Sequence, residues 1–226
     1  MALPRVNTAE ILRILEQLYP DARCALDHQN AFELLIATIL SAQCTDRRVN
    51  MITPGLFREF PDAARLACAD IGRVEQIVAE CGLYRMKSRN IVAASRLIVE
   101  QYGGVVPDSM EELLKLPGVG RKTANVVLSN AFGVPAIAVD THVQRVANRI
   151  GLAQSEDVTV TEQQLMRRIP RAKWSPAHHW LIYHGRLVCT ARAPKCQECP
   201  LAPHCRYFKR IQTAGSGILK GSRTNL

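Results

Sequence analysis

The chain has 226 residues, 47% of them hydrophobic, and Lys plus Arg exceed Asp plus Glu by 29 to 20, a net charge of +9. That apolar content excludes a disordered polyelectrolyte, and the length suffices for one large domain or two small ones with a real core. No run approaches the ~18 uninterrupted apolar residues of a membrane span and residues 1–7 lack a leader's apolar stretch, so a soluble, cytoplasmic protein is expected, with a polyanionic partner favoured by its positive surplus.

Helical periodicity runs through most of the chain. Ile11, Ile14, Leu15 and Leu18 follow i, i+3, i+4, i+7, with Asn7 and Glu10 placed to cap the first turn. The run Phe32 to Leu40 is apolar on nearly every side, as a helix buried on all faces must be. Gly103-Gly104 ends a helix, and Ser109 with Glu112 has capping-box spacing before Leu113, Leu114 and Leu116. Pro117-Gly118 interrupts, Gly133 closes the following helix, and Val143, Val146, Ala147 and Ile150 stripe another. Alternating strand patterns are confined to short stretches such as Ala136 to Val139, so the fold class is all-α. Residues 212–226, rich in Gly, Ser and Thr, read as a disordered tail.

Chemistry concentrates in three places. In Leu116-Pro117-Gly118-Val119-Gly120-Arg121-Lys122-Thr123-Ala124, Gly118 and Gly120 permit positive φ and close backbone approach. The helix that follows offers N–H groups and a favourable dipole to a phosphate; a plain turn between two helices would need the glycines equally. Lys122 in the first turn opposes the dipole, an unfavourable choice for surface decoration. Burial, the dipole and neighbouring Arg121 would together favour the neutral amine that attacks carbonyl-like carbons; the bland alternative is two solvated cations. Eighteen residues on, Asp140 stands where a helix starts, as an N-cap, a general base, or both.

Of eight cysteines, Cys24, Cys44, Cys68 and Cys81 are scattered among apolar or small neighbours and read as inert or core thiols. Cys189, Cys196, Cys199 and Cys205 crowd into 17 residues with C-x6-C-x2-C-x5-C spacing. In a reducing compartment such a set binds metal rather than forming disulfides, and four thiolates accept either structural Zn²⁺ or an iron–sulfur cluster. His178 and His179 lack a carboxylate or cysteine at ligand spacing and read as packing residues.

LPGVGRKTA followed by AVDTH, with LLIATILSAQCTD earlier and HHWLIYHGR near residue 180, resembles the helix-hairpin-helix DNA glycosylase superfamily, and its endonuclease III branch most closely. The resemblance spans residues 8–210. It implies a bifunctional DNA N-glycosylase and abasic-site lyase of base excision repair, acting on oxidised or ring-saturated pyrimidines in double-stranded DNA. It makes Lys122 the Schiff-base nucleophile and Asp140 the catalytic carboxylate. It makes Cys189, Cys196, Cys199 and Cys205 ligands of a [4Fe-4S] cluster, with structural zinc the alternative. Gln43 and Leu83 are implied to wedge into the base stack, with Asp46 and His142 supporting the site, Asp46 by capping the helix after Thr45. Gly118, Gly120, Arg121, Arg186, Arg192 and Lys195 would face phosphates, and alanine at 193 leaves the loop one base short of many relatives.

The organisation expected is two helical domains flanking a DNA-binding cleft: a six-helix domain over 24–134 ending in the hairpin, and a cluster domain from 1–23 plus 135–211. A monomer is expected, cytoplasmic and nucleoid-associated if bacterial. The rival readings are a monofunctional glycosylase of the same superfamily, which typically lacks this lysine, and a non-catalytic helix-hairpin-helix DNA-binding module, which needs neither Lys122 with Asp140 nor a cluster.

Overall fold

The computed structural model describes residues 6–218, with side chains to Thr213; among the described residues the regular structure is helical and no strand forms. Contacts divide the chain into two compact units, Cys24–Ala138 and the residues up to Arg23 with those from Val139 onward.

In the unit Cys24–Ala138, helix α2 (Ala31–Leu40) starts at Asn30, whose side chain accepts a hydrogen bond from the Glu33 N–H at 2.9 Å. Every residue from Leu34 to Leu40 is buried, as the apolar run requires. It packs against α3 (Asp46–Glu59), α6 (Tyr84–Tyr102) and α8 (Arg121–Ala131). Two short helices, α4 (Ala63–Ala67) and α5 (Ile71–Val78), cover α6. Asp62 and Asp70 cap them through their side chains. Gly103 ends α6 in left-handed backbone at φ +60°, and Gly133 at φ +65° follows α8. Helix α7 (Met110–Leu113) is a single turn capped by Ser109 and packs on α8. Seven helices thus stand where six are expected. The segment 136–138 is buried but not helical, held by Asn125, whose side-chain amide donates to the Ile137 carbonyl at 3.0 Å.

The second unit is built on α9 (Thr141–Ile150), with α10 (Val158–Arg168), α11 (Trp174–Leu187) and α12 (Arg206–Ile218) packed against it and α1 (Thr8–Leu18) against α11. Asn7 caps α1, accepting from the Glu10 N–H at 3.2 Å. The α9–α11 crossing depends on Gly185: a Cβ there would lie 2.9 Å from His142 Cβ and 3.1 Å from Val146 Cγ2. Residues 212–218, expected as the start of a disordered tail, continue α12; residues 219–226 lie outside the described residues.

Candidate nucleic-acid interface and cluster pocket

In the hairpin, the chain leaves α7 and turns through residues 114–120 into α8. Gly118 adopts φ +79°, and a Cβ there would come within 3.0 Å of Asn90 Cβ, so conformation and space both require glycine. Gly120 behaves differently from expectation. It is extended, at φ −99° and ψ 176°, and is the N-cap of α8 without a side-chain capping bond. Its value is the uncovered helix end, where backbone N–H groups and the dipole face outward. Arg121 and Lys122 follow in the first turn, both exposed. The burial expected around Lys122 is therefore not found in the free protein; the helix end and its arginine neighbour remain.

Gln43 and Leu83 share a property no motif displays: among the described residues they are the non-glycine positions with positive φ, at +52° and +60°. Both are exposed, Leu83 to 52%. Left-handed backbone costs a side-chain-bearing residue about 1–2 kcal/mol, and such strain collects where a side chain is aimed for function. Their turns are neighbours, since a Cβ on Gly82 would lie 3.2 Å from the Gln43 carbonyl oxygen. The cap of α3 is Thr45, whose hydroxyl accepts from the Arg48 N–H at 3.3 Å, and Asp46 is the first helical residue rather than the cap.

In the second unit, Asp140 is the N-cap of α9, its Oδ1 accepting from the Val143 N–H at 2.8 Å. His142 is half-buried, its Nδ1 at 3.1 Å from Arg145 Nη2. Arg145 also donates to the carbonyls of Gly185 and Cys189, at 2.9 and 3.0 Å. One turn on, Arg149 donates to the carbonyls of Thr190 and Ala191, at 2.7 and 2.9 Å, and reaches Cys189 Sγ at 3.5 Å. Its guanidinium lies over the Tyr207 ring, 4.8 Å from the centroid. Arg186, Arg192 and Lys195 are exposed on the same unit. His178 and His179 are buried against one another, with ring centroids 3.9 Å apart and planes tilted by 39°.

Cys189, Cys196, Cys199 and Cys205 line one pocket whose other walls include Ile150, Val188, Leu201 and Phe208. Burial pushes the Cys196, Cys199 and Cys205 thiols up, and neighbouring cysteines raise each further. Backbone N–H groups oppose this, from Leu201 to Cys199 and from Phe208 and Tyr207 to Cys205. Four sulfurs in one apolar pocket, with backbone N–H bonds to Cys199 and Cys205 and an Arg149 N–H to Cys189, suit a cationic metal cluster that takes all four as thiolates. His184 extends the arrangement inward. It is buried, which lowers its pKa to about 4, and a neutral ring protonated on Nε2 satisfies both neighbours: the Tyr19 hydroxyl at 3.0 Å from Nδ1 and Cys199 Sγ at 3.5 Å from Nε2.

Sequence reasoning missed Tyr19, Arg145, Arg149, His184 and Tyr207. A signal existed only for the arginines, which sit four apart on one face of a strongly amphipathic helix. Nothing local marks the loop as what that face holds.

Residues 36–171 match the HhH-GPD superfamily base excision DNA repair protein family, and residues 189–205 match the iron-sulfur binding domain of endonuclease III. The cysteine set is thus an iron–sulfur pattern rather than a zinc one. The chain is 52% identical to endonuclease III of Synechocystis sp., covering 91% of this chain and 94% of that one. It is 50% identical to that of Bacillus subtilis, covering 88% and 91%. A solved endonuclease III trapped as a covalent intermediate with DNA is 46% identical, covering 92% of this chain and all of that one, with a TM-score of 0.87.

Proposed function

The chain belongs to the endonuclease III family of the HhH-GPD superfamily, and we propose that it excises damaged, oxidised or ring-saturated pyrimidines from double-stranded DNA and then cleaves the abasic site. It is a bifunctional DNA glycosylase and lyase of base excision repair that carries a [4Fe-4S] cluster. The observation that carries the lyase assignment is Lys122, an exposed amine in the first turn of a helix whose glycine N-cap leaves the helix end open.

The hairpin amides and Arg121 hold backbone phosphate beside the first turn of α8, which sets the target nucleotide within reach of Lys122. Gln43 and Leu83 enter the space left by the flipped nucleotide; their left-handed turns present both side chains outward before DNA arrives. Lys122 Nζ attacks C1′, the C1′–N bond breaks, and the base leaves as its anion to be protonated. Asp140 accepts the proton that the attacking amine must lose. The resulting imine acidifies the C2′ proton, and its removal expels the 3′ phosphate by β-elimination. Cys189, Cys196, Cys199 and Cys205 would hold the cluster, whose bonds would close the loop that carries Arg192 and Lys195, beside Arg186 at the end of α11, for phosphate contact. The protein acts as a monomer in the compartment that holds the DNA; among the described residues no helix is long and apolar enough to cross a membrane.

The test is reductive trapping. Duplex DNA with one abasic site, incubated with the protein and borohydride, is expected to give a covalent adduct that Lys122→Ala abolishes while DNA affinity stays within a few-fold. Wild-type protein that releases a damaged base but yields no adduct would be a monofunctional glycosylase instead.

A further inference from the structure

The two strained turns that carry Gln43 and Leu83 each also carry a free cysteine. Cys44 closes the first turn, its N–H donating to the Ser41 carbonyl at 3.1 Å, and it is half-buried. Cys81 opens the second, its N–H donating to the Val78 carbonyl at 2.8 Å, and it is fully buried. The Cys44 thiol lies close enough to Cys81 to disfavour its ionisation. The backbones meet beside them, where Gly82 lies against the Gln43 carbonyl so closely that a Cβ would stand 3.2 Å from it.

The pair has cationic company. Lys87 is 1% exposed, with its Nζ donating to the Leu40 carbonyl at 2.8 Å. Arg48 lies near as well, paired with Glu80. Burial and Cys44 push the Cys81 thiol up to about 11, and Lys87 and Arg48 oppose that rise. Burial also lowers the Lys87 pKa, and the two cysteines counter it. Two thiols within electrostatic reach of a buried ammonium form a set in which a thiolate, once formed, has a counter-charge at hand.

We propose that Cys44 and Cys81 are a dithiol that hydrogen peroxide closes to a disulfide, tying the Gln43 turn to the Leu83 turn and weakening DNA binding. Cys44, the accessible partner, reacts first. Its sulfur attacks one peroxide oxygen, the O–O bond breaks, one water leaves and Cys44 becomes a sulfenic acid. The Cys81 thiolate then attacks the Cys44 sulfur, the S–O bond breaks, a second water leaves and the S–S bond forms. Two electrons pass from the sulfurs to the peroxide, and both thiol protons end in the two waters. The covalent bond draws the two sulfurs to bonding distance, so the turns are pulled together at the point where Gly82 already abuts Gln43. A displacement of about 1 Å in positioning groups costs up to about 100-fold in rate, and the two wedging side chains sit on the turns that move. The effect on DNA rests on the reading of Gln43 and Leu83 as wedging residues; the thiol chemistry does not.

The holoprotein is treated with one equivalent of hydrogen peroxide, alkylated, digested with trypsin and analysed by mass spectrometry, with the cluster's visible absorbance followed throughout. The expected product joins peptide 74–85 to peptide 24–47. Cys24 shares the second peptide, so fragmentation must place the bond at Cys44, and Cys44→Ser must abolish it. The oxidised protein is expected to bind abasic-site duplex at least tenfold more weakly, recovering with dithiothreitol, while Cys44→Ser and Cys81→Ala show no peroxide response. No linked peptide with the cluster intact would overturn the proposal, as would a linked peptide with unchanged affinity. If the reduced protein neither binds nor cleaves abasic DNA, the functional reading fails instead, and the linked peptide still reports on the thiol pair.

Discussion

Leu83 holds an unfavourable backbone conformation with its apolar side chain in water, two costs that folding alone gives no reason to accept. Glycine would relieve both. Leu83→Gly is expected to raise thermal stability by roughly 1 kcal/mol while weakening binding to abasic-site duplex at least tenfold, checked by a melt and a titration on one preparation. Lower stability with full binding would make Leu83 a packing residue. At this scale the sequence was legible where chemistry is written in residue type. The cysteine spacing, the cap at Asp140 and the glycine at 118 could all be read from it. It was opaque where conformation decides: a positive φ at glutamine or leucine leaves no local trace, and Gly120 resembles Gly118 until its extended backbone is seen.

At the level of elements, α9 does two jobs. Its apolar stripe of Val143, Val146, Ala147 and Ile150 is buried, and its arginines hold the cysteine loop. The stripe was readable from its 3.6-residue period; the arginines' partners lie 40 or more residues away in sequence, and no periodicity reports that. Arg149→Met keeps much of the side chain's bulk but removes the bonds to the Thr190 and Ala191 carbonyls. The cluster is expected to be lost several-fold faster under chelator, read as decay of its visible absorbance, with the Lys122 borohydride adduct still forming at early times. An unchanged decay rate would mean that the four cysteines hold the loop unaided. Stripping the cluster entirely should release the loop and lower DNA affinity more than it lowers the helix content seen by circular dichroism.

Across the whole molecule, the net charge of +9 and the buried histidines set opposite demands on pH and salt. DNA binding is expected to weaken steeply with salt, because each phosphate neutralised releases condensed counterions. Stability depends instead on groups that must stay neutral. Burial lowers the His179 pKa from 6.5 to about 4. Between those values the unfolded chain binds a proton that the folded one refuses. The stabilisation is therefore complete above pH 6.5, falls as the pH drops toward 4, and changes no further below that. The shift corresponds to about 3 kcal/mol at most across the window. His179→Gln removes the titration while keeping a polar group of similar size. The variant is expected to melt below the wild type at pH 7, with the gap narrowing steadily toward pH 4.5, provided the cluster absorbance shows both proteins still loaded. A gap that stays constant over that range would assign the acid sensitivity to groups other than His179, since a merely packed side chain costs the same at every pH.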